Sequence, residues 1–495
     1  MFARTGPHLV AASLMLAAAA PALAQSATPS PRPAPSPSAT PTAAPLQVQP
    51  TPAALPLPTV TPAQAEELRR IIVQGRIAHG LRYSTQAAEV LPADDAGLVR
   101  AALDYARAIH IGRLDTADFQ EDWALRPAAW DPIPGLTRAL ADNRLAQWFA
   151  DLAPPYEGYE TLRVGLARYR LIEAAGGWSA IPAGPDMTVG ATGPRVAALR
   201  ARLAVEDDGV ARLGNSFDAD LKEAVIRAQR RYGLNPTGTV SSGTLAALNV
   251  PVEARVRQIM ANMERWRWMP KEMPTDRVQV NIASASVAVF EGDRPVMSMR
   301  GVTGKPGGGE TPMLVSNIHS VVINPPWNVP AGIAARELFP KGPAYLARNG
   351  FKVIGTGANR RLQQQPSHSA LGKFKFDFNN PFAVYLHDTP TKGTFSRYDR
   401  LASHGCIRLE RPADLANLLM AGDPVWTPEK VAATLATGQT TRVPLQKQVA
   451  VYLLYWTAYG SANGTMNFRG DPYNWDKTLA SKIEARSATQ AQSAR

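Results

Sequence analysis

The sequence predicts a multidomain α+β protein with a helical N-terminal half, a small three-helix unit and a mainly-β, sandwich-like C-terminal half that carries an insertion. Three observations support this fold class. The chain has 495 residues, which is more than one ordinary hydrophobic core accommodates. Apolar residues recur at helical spacing up to about residue 250. After Pro274 they alternate with polar residues, as they do in strands.

The N-terminal region has the composition of an export signal followed by a tether. Arg4 precedes an uncharged run from Leu9 to Leu23 that is rich in Leu and Ala, and this predicts a cleaved signal peptide over residues 1–24. An uncleaved membrane anchor is the alternative, but the run is shorter than the ~20 residues that span a bilayer. Residues 25–62 are mostly Pro, Ala, Ser and Thr and predict a disordered tether. We therefore expect an exported, periplasmic protein with no transmembrane segment in the mature chain.

The charge of the chain narrows the choice of partner. The formal net charge is +12, and its Lys and Arg residues are scattered rather than arranged in blocks. This distribution, together with predicted export, argues against nucleic acid. An anionic envelope polymer or an acidic peptide fits better.

Two helical units are predicted before Pro274. In residues 63–180, positions such as Leu98, Ala102 and Ile109 follow helical spacing, and no cluster of ionisable residues suggests chemistry, so we expect a scaffold. Residues 185–251 form the second unit, in which Gly233 ends a helix.

The C-terminal half is predicted to be mainly sheet. Alternation from Val278 to Val289, with a turn at Gly292-Asp293, predicts a β-hairpin at the start of a domain over residues 275–446. Further β-like runs include Ser320 to Asn324 and a strand from Phe382 to Leu386. A Pro-rich stretch with short helical patterns, from Pro326 to Arg348, predicts an insertion. Residues 447–495 are expected to supply a strand that closes the sheet, and a tail.

Cys406 is the only cysteine in the chain. An exported protein with one cysteine forms no internal disulfide, so its thiol is either a buried apolar filler or is used chemically. Composition alone leaves these two readings equally open.

The residues near Cys406 favour a chemical role for its thiol. A nucleophilic thiol needs a base and donors for an oxyanion, and a neighbouring imidazolium can lower its pKa. His404 lies two positions earlier, on the same face of an extended segment, and His387 lies at the end of a predicted strand. The amides of Gly405 and Cys406 could face an oxyanion. Arg408 could bind a substrate carboxylate or form a salt bridge that supports the loop.

Longer stretches around these residues resemble known families. The text VAALRARL, followed by FDADLKEAVIRAQRRYGLNPTGTVSSGTLAALNVP, resembles the small three-helix peptidoglycan-binding domain, although Thr237-Gly238 stands where that family usually has Asp-Gly. The text YLHDTPTKGTFSRYDRLASHGCIRLERP resembles the catalytic signature of L,D-transpeptidases of the YkuD type. The segments NMERWRW, TPMLVS, NPPWNVP and LGKFKFDF resemble the large multidomain branch with a scaffold and a peptidoglycan-binding domain.

The resemblance implies a role for each site residue. Cys406 is the acylated nucleophile and His387 its proton donor and acceptor, held by a backbone carbonyl, while His404 supports them. Tyr385 helps the oxyanion hole. The insertion, at about residues 326–378, is a cap lined by Trp327, and Ser403 and Asn324 are further substrate contacts. The implied reaction attacks the third residue of a tetrapeptide stem, releases D-Ala and forms a 3→3 cross-link. The implied partners are peptidoglycan stem peptides and glycan, no cofactor is required, and carbapenems acylate Cys406.

Several alternatives share parts of this sequence pattern. An L,D-carboxypeptidase, an exchanger of D-amino acids or an enzyme that attaches an envelope protein to peptidoglycan would use the same site. A non-enzymatic wall-binding protein would need only residues 185–251. A metal site could draw on His319, His368, His387, His404 and Cys406, but their spacings lack the paired pattern of zinc ligands, so we expect no metal.

Overall fold

The computed structural model describes residues 56–82, 90–461 and 463–493. The predicted signal peptide and most of the predicted tether lie outside the described residues. The first helix begins at Pro62, where the side chain of Thr61 caps it by accepting from the amide of Gln64. Thr at the N-cap, Pro in the first turn and Gln at the third position together specify this start.

The expected helical N-terminal region is confirmed. Its helices are α1 (Pro62–Ala78), α2 (Asp95–His110), α3 (Ile133–Ala141), α4 (Leu145–Leu152) and α5 (Glu157–Ala174). Helices α1 to α4 enclose a hydrophobic core of their own, and Leu98 and Ile109 of α2 are buried in it as their helical spacing predicts. Among the described residues, no helix is both long and apolar enough to cross a membrane.

The three-helix unit consists of α6 (Pro194–Leu203), α7 (Ala219–Arg231) and α8 (Ser242–Leu248). Gly233 has a φ of 65°, a left-handed conformation that ends α7 as predicted. Glu206 is buried at the base of this unit and pairs with Arg202 at 2.7 Å. The hydroxyl groups of Tyr169 and Tyr232 also donate to Glu206. These contacts tie α5 to the three-helix unit.

The C-terminal half is built on one mixed sheet that curls on itself. Its strands are β1 (Arg277–Asn281), β2 (Ser286–Glu291), β3 (Arg294–Gly304), β4 (Leu314–Ile323), β8 (Phe374–Phe378), β9 (Leu386–His387), β10 (Leu401–Ser403), β11 (Ile407–Leu409) and β12 (Thr441–Leu454). The order is β10-β3-β11-β9-β8-β4-β12-β1-β2, and β2 also pairs with β3. Helices α12 (Pro412–Leu419) and α13 (Pro428–Thr437) lie between β11 and β12 in the chain.

Three details of the sheet differ from the sequence-based expectation. The strand expected over Phe382 to Leu386 is only two residues long, because Ala383 has a φ of 55° that interrupts extended backbone. The last strand, β12, crosses the expected boundary at residue 446, and it lies between β4 and β1. Strand β8 belongs to the main sheet although it falls inside the expected insertion.

The insertion forms a small cap with its own core. It contains a sheet in the order β5-β7-β6 (Trp327–Val329, Arg361–Gln364 and Phe351–Ile354) and the helices α10 (Ala331–Ile333) and α11 (Gly342–Arg348). A π-helical turn covers Ala334–Leu338. Its own apolar cluster includes Val329, Ile333, Leu338, Leu346 and Leu362. The cap therefore folds around side chains that it supplies itself.

Helix α9 (Val252–Trp266) joins the helical half to the sheet. The Gln258 amide donates to the carbonyls of Thr457 at 3.1 Å and Arg469 at 2.7 Å. The chain after β12 forms the hairpin β13 (Ala458–Gly460) and β14 (Met466–Phe468), then α14 (Trp475–Ser493). The buried residues of α5, the three-helix unit, α9 and the sheet belong to one continuous hydrophobic core.

Candidate active site

The register of β9 and β11 collects the candidate residues on one face of the sheet. These strands are parallel, with Leu386 opposite Ile407 and His387 opposite Arg408. Leu386 and Ile407 are fully buried in the core. Since successive side chains in a strand point to opposite faces, His387 and Arg408 project from the other face. Tyr385 and Cys406 immediately precede the two strands, and their position is fixed where the Ile407 amide donates to the Tyr385 carbonyl at 3.0 Å.

His387 is buried and held by the backbone. Its Nδ1 lies 2.5 Å from the carbonyl oxygen of Asp388, so Nδ1 carries the proton and Nε2 is left as the basic nitrogen. Burial is the main cause that lowers the pKa of His387 to about 4, and Arg408 lowers it further. The carbonyls of Asp388 and Leu371 act in the opposite direction. At neutral pH the imidazole is therefore an uncharged base.

The carboxylate of Asp388 fixes the backbone next to His387. It accepts from the amides of Lys373 and Thr389, both at 2.7 Å, and from the Lys392 ammonium at 2.6 Å. These three donors fix the peptide whose carbonyl holds His387. Asp388 thus orients the imidazole through its backbone carbonyl.

Cys406 is half-buried, with its Sγ 4.0 Å from the carbonyl oxygen of Ala383. Burial raises the pKa of its thiol, and hydrogen bonds from Tyr385 and the positive charges of Lys375 and Arg408 only partly oppose this. The expectation of a thiol ionised by a neighbouring imidazolium is therefore not met, since the thiol and the imidazole are both uncharged at rest. A neutral thiol needs a base to take its proton when it attacks a carbonyl, and a neutral imidazole is suited to be that base.

Tyr385 connects Cys406 to the cap. Its hydroxyl interacts with the Cys406 sulfur and accepts from the Trp327 side chain, and burial raises its pKa well above the usual value. The Tyr385 ring lies edge-on to His387 at 5.6 Å between centroids, and the Lys375 ammonium lies 4.3 Å from its centre. The hydroxyl is therefore fixed beside the sulfur and available as a donor.

The turn before Cys406 differs from the expected geometry. Gly405 has a φ of 112°, and a Cβ there would lie 3.2 Å from the Glu310 carbonyl oxygen. The Gly405 amide donates to Ser403 Oγ at 3.1 Å, and its carbonyl accepts from Thr311 Oγ1 at 2.8 Å. The Gly405 amide is therefore not free to bind an oxyanion, and buried Ser403 shapes the turn instead of meeting substrate. The Cys406 amide has no acceptor within the described part of the chain.

His404 faces the cap. The left-handed Gly405 breaks the extended backbone that would have put His404 and Cys406 on one face. The Nε2 of His404 lies 2.8 Å from Glu337 Oε1, in the π-helical turn of the cap. His404 therefore links the catalytic loop to the cap.

Arg408 lies on the site face, opposite His387 in the register of β9 and β11. Its guanidinium makes no hydrogen bond or ion pair with any residue that the structure describes. Burial lowers its pKa, while the nearby Cys406 acts in the opposite sense. The loop-supporting salt bridge is absent among these residues, and a half-buried cation is left facing the site.

Asn324 is not a substrate contact. It is fully buried with a φ of 48°, and its amide donates to the carbonyls of Thr434, Leu435 and Gln439 at 3.2 to 3.3 Å. It ties the end of β4 to the end of α13. Trp327, in contrast, reaches the site, where its side chain donates to the Tyr385 hydroxyl.

A row of charged side chains next to His387 was missed by the sequence reasoning. Lys375 lies opposite His387 in the antiparallel pair of β8 and β9. Its ammonium pairs with Asp377 at 2.6 Å, and Asp377 also pairs with Arg442 at 2.7 Å. Arg442 lies in β12, distant in sequence from Lys375 and Asp377 in β8. The alternation of Lys375 and Asp377 about buried Phe376 was the only signal that could have placed both on one face.

No three His, Cys, Asp or Glu side chains come together as a metal site within residues 56–82, 90–461 and 463–493. The candidate residues instead form an arrangement suited to acyl transfer, with a thiol, a neutral base, two oxyanion donors and a cation.

Three family models match the chain. A model of the L,D-transpeptidase catalytic domain (YkuD) matches residues 275–426, and a scaffold domain matches residues 61–166. A model named "Putative peptidoglycan binding domain" matches residues 192–248. The order of the three is that expected for the large multidomain branch.

Single proteins and solved structures that resemble the chain match only part of it or share few identical residues with it. A Haemophilus influenzae protein named "Putative L,D-transpeptidase" is 30% identical over 248 residues, which are 46% of this chain and 50% of that protein. The chain thus spans about half the length of this relative. Among solved structures, the L,D-transpeptidase of Xylanimonas cellulosilytica is 16% identical, with 55% of this chain and 99% of that chain covered and a TM-score of 0.19. That of Stackebrandtia nassauensis is 13% identical, with 56% and 96% covered and a TM-score of 0.23.

The family models cover three consecutive parts of the chain. Residues 275–426 form an L,D-transpeptidase catalytic domain of the YkuD family, preceded in the same chain by a scaffold domain and a peptidoglycan-binding-like domain.

Proposed function

We propose that this protein is an exported, periplasmic peptidoglycan L,D-transpeptidase in which Cys406 is the nucleophile and His387 the acid and base. The observation that carries the proposal is the shared sheet face of Tyr385, His387, Cys406 and Arg408, with His387 Nδ1 bound to a backbone carbonyl. That bond leaves Nε2 free to take the thiol proton.

In the first half-reaction, Cys406 Sγ attacks the carbonyl carbon of the third stem residue while His387 Nε2 accepts the thiol proton. The negative charge that develops on the carbonyl oxygen is stabilised by the Cys406 amide and the Tyr385 hydroxyl. The protonated His387 then gives its proton to the amide nitrogen, the carbon–nitrogen bond breaks and D-Ala leaves. The third residue remains bound to sulfur as a thioester.

In the second half-reaction, the side-chain amine of a neighbouring third residue attacks the thioester. His387 removes a proton from this amine, the carbon–sulfur bond breaks, and the proton returns to the leaving sulfur. The product is a 3→3 cross-link. Arg408 is suited to bind a carboxylate of the donor stem, because its guanidinium has no protein partner among the described residues.

The cap supports transfer to an amine in preference to water. Trp327 contacts the Tyr385 hydroxyl and Glu337 contacts His404, so the cap touches the site at two points. A closed cap excludes bulk water and holds the acceptor amine near the thioester.

Product analysis tests the proposal. Wild type and Cys406→Ala are incubated with disaccharide-tetrapeptide, and the products are separated and weighed by mass spectrometry. Dimers lacking one D-Ala, made by the wild type alone, support transpeptidation. Tripeptide monomers alone would replace the proposal with an L,D-carboxypeptidase, and incorporation only of added D-amino acid would indicate an exchanger. Turnover by Cys406→Ala would refute the nucleophile. Cross-linking that appears only with an added envelope protein would indicate attachment of that protein.

We further propose that carbapenems acylate Cys406, since the same thiol and oxyanion donors fit a strained β-lactam carbonyl. A mass increase on the peptide that contains Cys406 supports this, and an adduct on another residue contradicts it.

A further inference from the structure

The outer strand of the cap sheet has an open edge. In the order β5-β7-β6, strand β6 pairs with β7 on one side only. The Gln365 amide donates to the Gly350 carbonyl at 2.9 Å, which directs that carbonyl towards β7. Because the polar groups of an extended backbone alternate in direction, the amides and carbonyls of Phe351 and Val353 point away from β7. These groups have no partner within the part of the chain that the structure describes.

Most of β6 is open to solvent. Lys352, Val353 and Ile354 are all exposed, Val353 at 49% and Ile354 at 40%. A single apolar residue on a surface is ordinary. Two neighbouring β-branched residues on an unpaired edge differ from this, because such an edge is a template to which another extended chain can add.

The charge of the cap indicates what kind of chain fits. Between Trp327 and Gln364 the cap has six Lys and Arg residues and one acidic residue, Glu337. Glu337 is engaged by His404 at 2.8 Å. None of the six cations forms an ion pair with a carboxylate among the described residues. Two of them lie over aromatic rings of the cap itself. The remaining four cations are Arg336, Arg348, Lys352 and Arg361.

Two of these four cations lie on the outer face of the cap sheet. Val353 lies opposite Leu362, which is buried in the core of the cap, so Val353 is on the inner face. Lys352 and Ile354 project from the outer face, where Arg361 lies opposite Ile354. A strand added to β6 therefore places alternate side chains beside Lys352 and Ile354, and the intervening ones beside Val353. Carboxylates in the first set complement Lys352 and Arg361, and apolar side chains in the second set pack on Val353.

We infer that β6 of the cap is a docking site for an extended acidic segment of another polypeptide, in which acidic and apolar residues alternate and which adds to the cap sheet as a fourth strand. The inference goes beyond the proposed function, because it concerns a protein partner and does not depend on the chemistry at Cys406.

A segment docked on β6 lies close to the catalytic residues. The ring of Phe351 packs against Trp327 with 6.3 Å between the ring centroids, and Trp327 donates to the Tyr385 hydroxyl. Neighbouring strands are about 4.8 Å apart, so the added strand lies about 15 Å from β5. The cap thus holds its partner beside the candidate active site.

The test measures binding of a labelled peptide of about ten residues, in which Glu and Val alternate, to the full-length chain. Lys352→Glu reverses the charge beside the peptide and is expected to raise the Kd at least fivefold. Lys477→Glu changes the net charge equally at an exposed position of α14, outside the cap, and should leave the Kd within twofold.

A second pair of variants tests the backbone of β6. Val353→Pro removes the outward amide, which proline tolerates on an edge strand, and should raise the Kd at least tenfold. Val353→Thr keeps that amide and the branched shape, so its Kd should stay within threefold. Thermal unfolding confirms that each variant is folded. Hydrogen exchange gives a readout that needs no variant, because the amides of Phe351 and Val353 should become protected when the peptide binds.

Four results would overturn the inference. These are no binding of the peptide, equal effects of Lys352→Glu and Lys477→Glu, an unchanged Kd for folded Val353→Pro, and binding without protection of the Phe351 and Val353 amides. Binding of phosphatidylglycerol vesicles in place of the peptide, weakened by Lys352→Glu, would identify β6 as part of a membrane-binding surface instead.

Discussion

Replacing Tyr385 by phenylalanine removes one hydroxyl and leaves the ring between His387 and Lys375 in place. The lost hydroxyl interacts with the Cys406 sulfur and accepts from Trp327. Because burial raises the pKa of Cys406, little thiolate exists at neutral pH, and the Tyr385 hydroxyl is one of the groups that favour it. Tyr385→Phe should therefore raise the pKa of Cys406 further.

The size of the effect follows from the charge on the acceptor. A hydrogen bond to an ionised group contributes about 1.5–3 kcal/mol, and each 1.36 kcal/mol changes a rate tenfold. Alkylation of Cys406 at pH 7 should therefore slow by roughly 10- to 150-fold in Tyr385→Phe. The same donor is placed to bind the oxyanion, so acylation by substrate should fall at least as much.

Alkylation by iodoacetamide between pH 6 and 10, followed by intact-mass measurement, gives the reactivity of the Cys406 thiol directly, because Cys406 is the only cysteine. In the wild type the rate should rise with pH through the range above neutrality, since the thiol pKa is raised. Tyr156→Phe is the control, because its hydroxyl donates to the Pro270 carbonyl, away from the site. Equal rates for Tyr385→Phe and wild type at every pH would refute the reasoning.

Three further predictions follow from single contacts. Lys375→Met should slow alkylation of Cys406 at pH 7 several-fold, because the Lys375 ammonium beside Tyr385 favours the thiolate. Lys373→Met, which removes an exposed charge, should not slow it. Equal effects of the two substitutions would contradict this. Asn324→Ala should lower stability by roughly 2–3 kcal/mol, since the carbonyls of Thr434, Leu435 and Gln439 lose the donor that the buried Asn324 side chain supplies. A raised KM with an unchanged thermal midpoint would instead indicate a substrate contact. Burial, more than nearby Arg267, lowers the pKa of His79 from 6.5 to about 4. The unfolded chain therefore binds a proton at His79 before the folded protein does, and the free energy of unfolding falls by about 3 kcal/mol as the pH drops from above 6.5 towards 4. His79→Phe should flatten the dependence of unfolding free energy on pH in that window, and an unchanged slope in denaturant titrations would count against it.

Periodicity and spacing were sufficient for much of the fold. Apolar spacing placed the helices before Pro274, and alternation placed the first hairpin, because both patterns record which side of an element is buried. The central position of β12 could not be predicted from periodicity. Its neighbours, β4 and β1, are distant in sequence, and strand order depends on long-range pairing that one sequence does not reveal.

In the candidate site, too, the sequence predicted some features and could not predict others. Cys406, His387 and Tyr385 were placed together because their segments resemble a known signature, and the register of β9 and β11 puts them on one face. The expected roles of Gly405 and Asn324 depended on local backbone geometry. A φ of 112° at Gly405 and of 48° at Asn324 directs their polar groups to other partners. Backbone torsions of this kind are set by packing and are not encoded in residue spacing.

Trapping the covalent intermediate tests the central claim most directly. The enzyme is mixed with tetrapeptide substrate, quenched in acid and digested, and the peptide that contains Cys406 is weighed and fragmented. The proposed mechanism predicts a thioester on Cys406 with the mass of the substrate acyl group after loss of D-Ala, and its absence in His387→Ala. An adduct on another residue, or D-Ala release without any acylated Cys406, would contradict it.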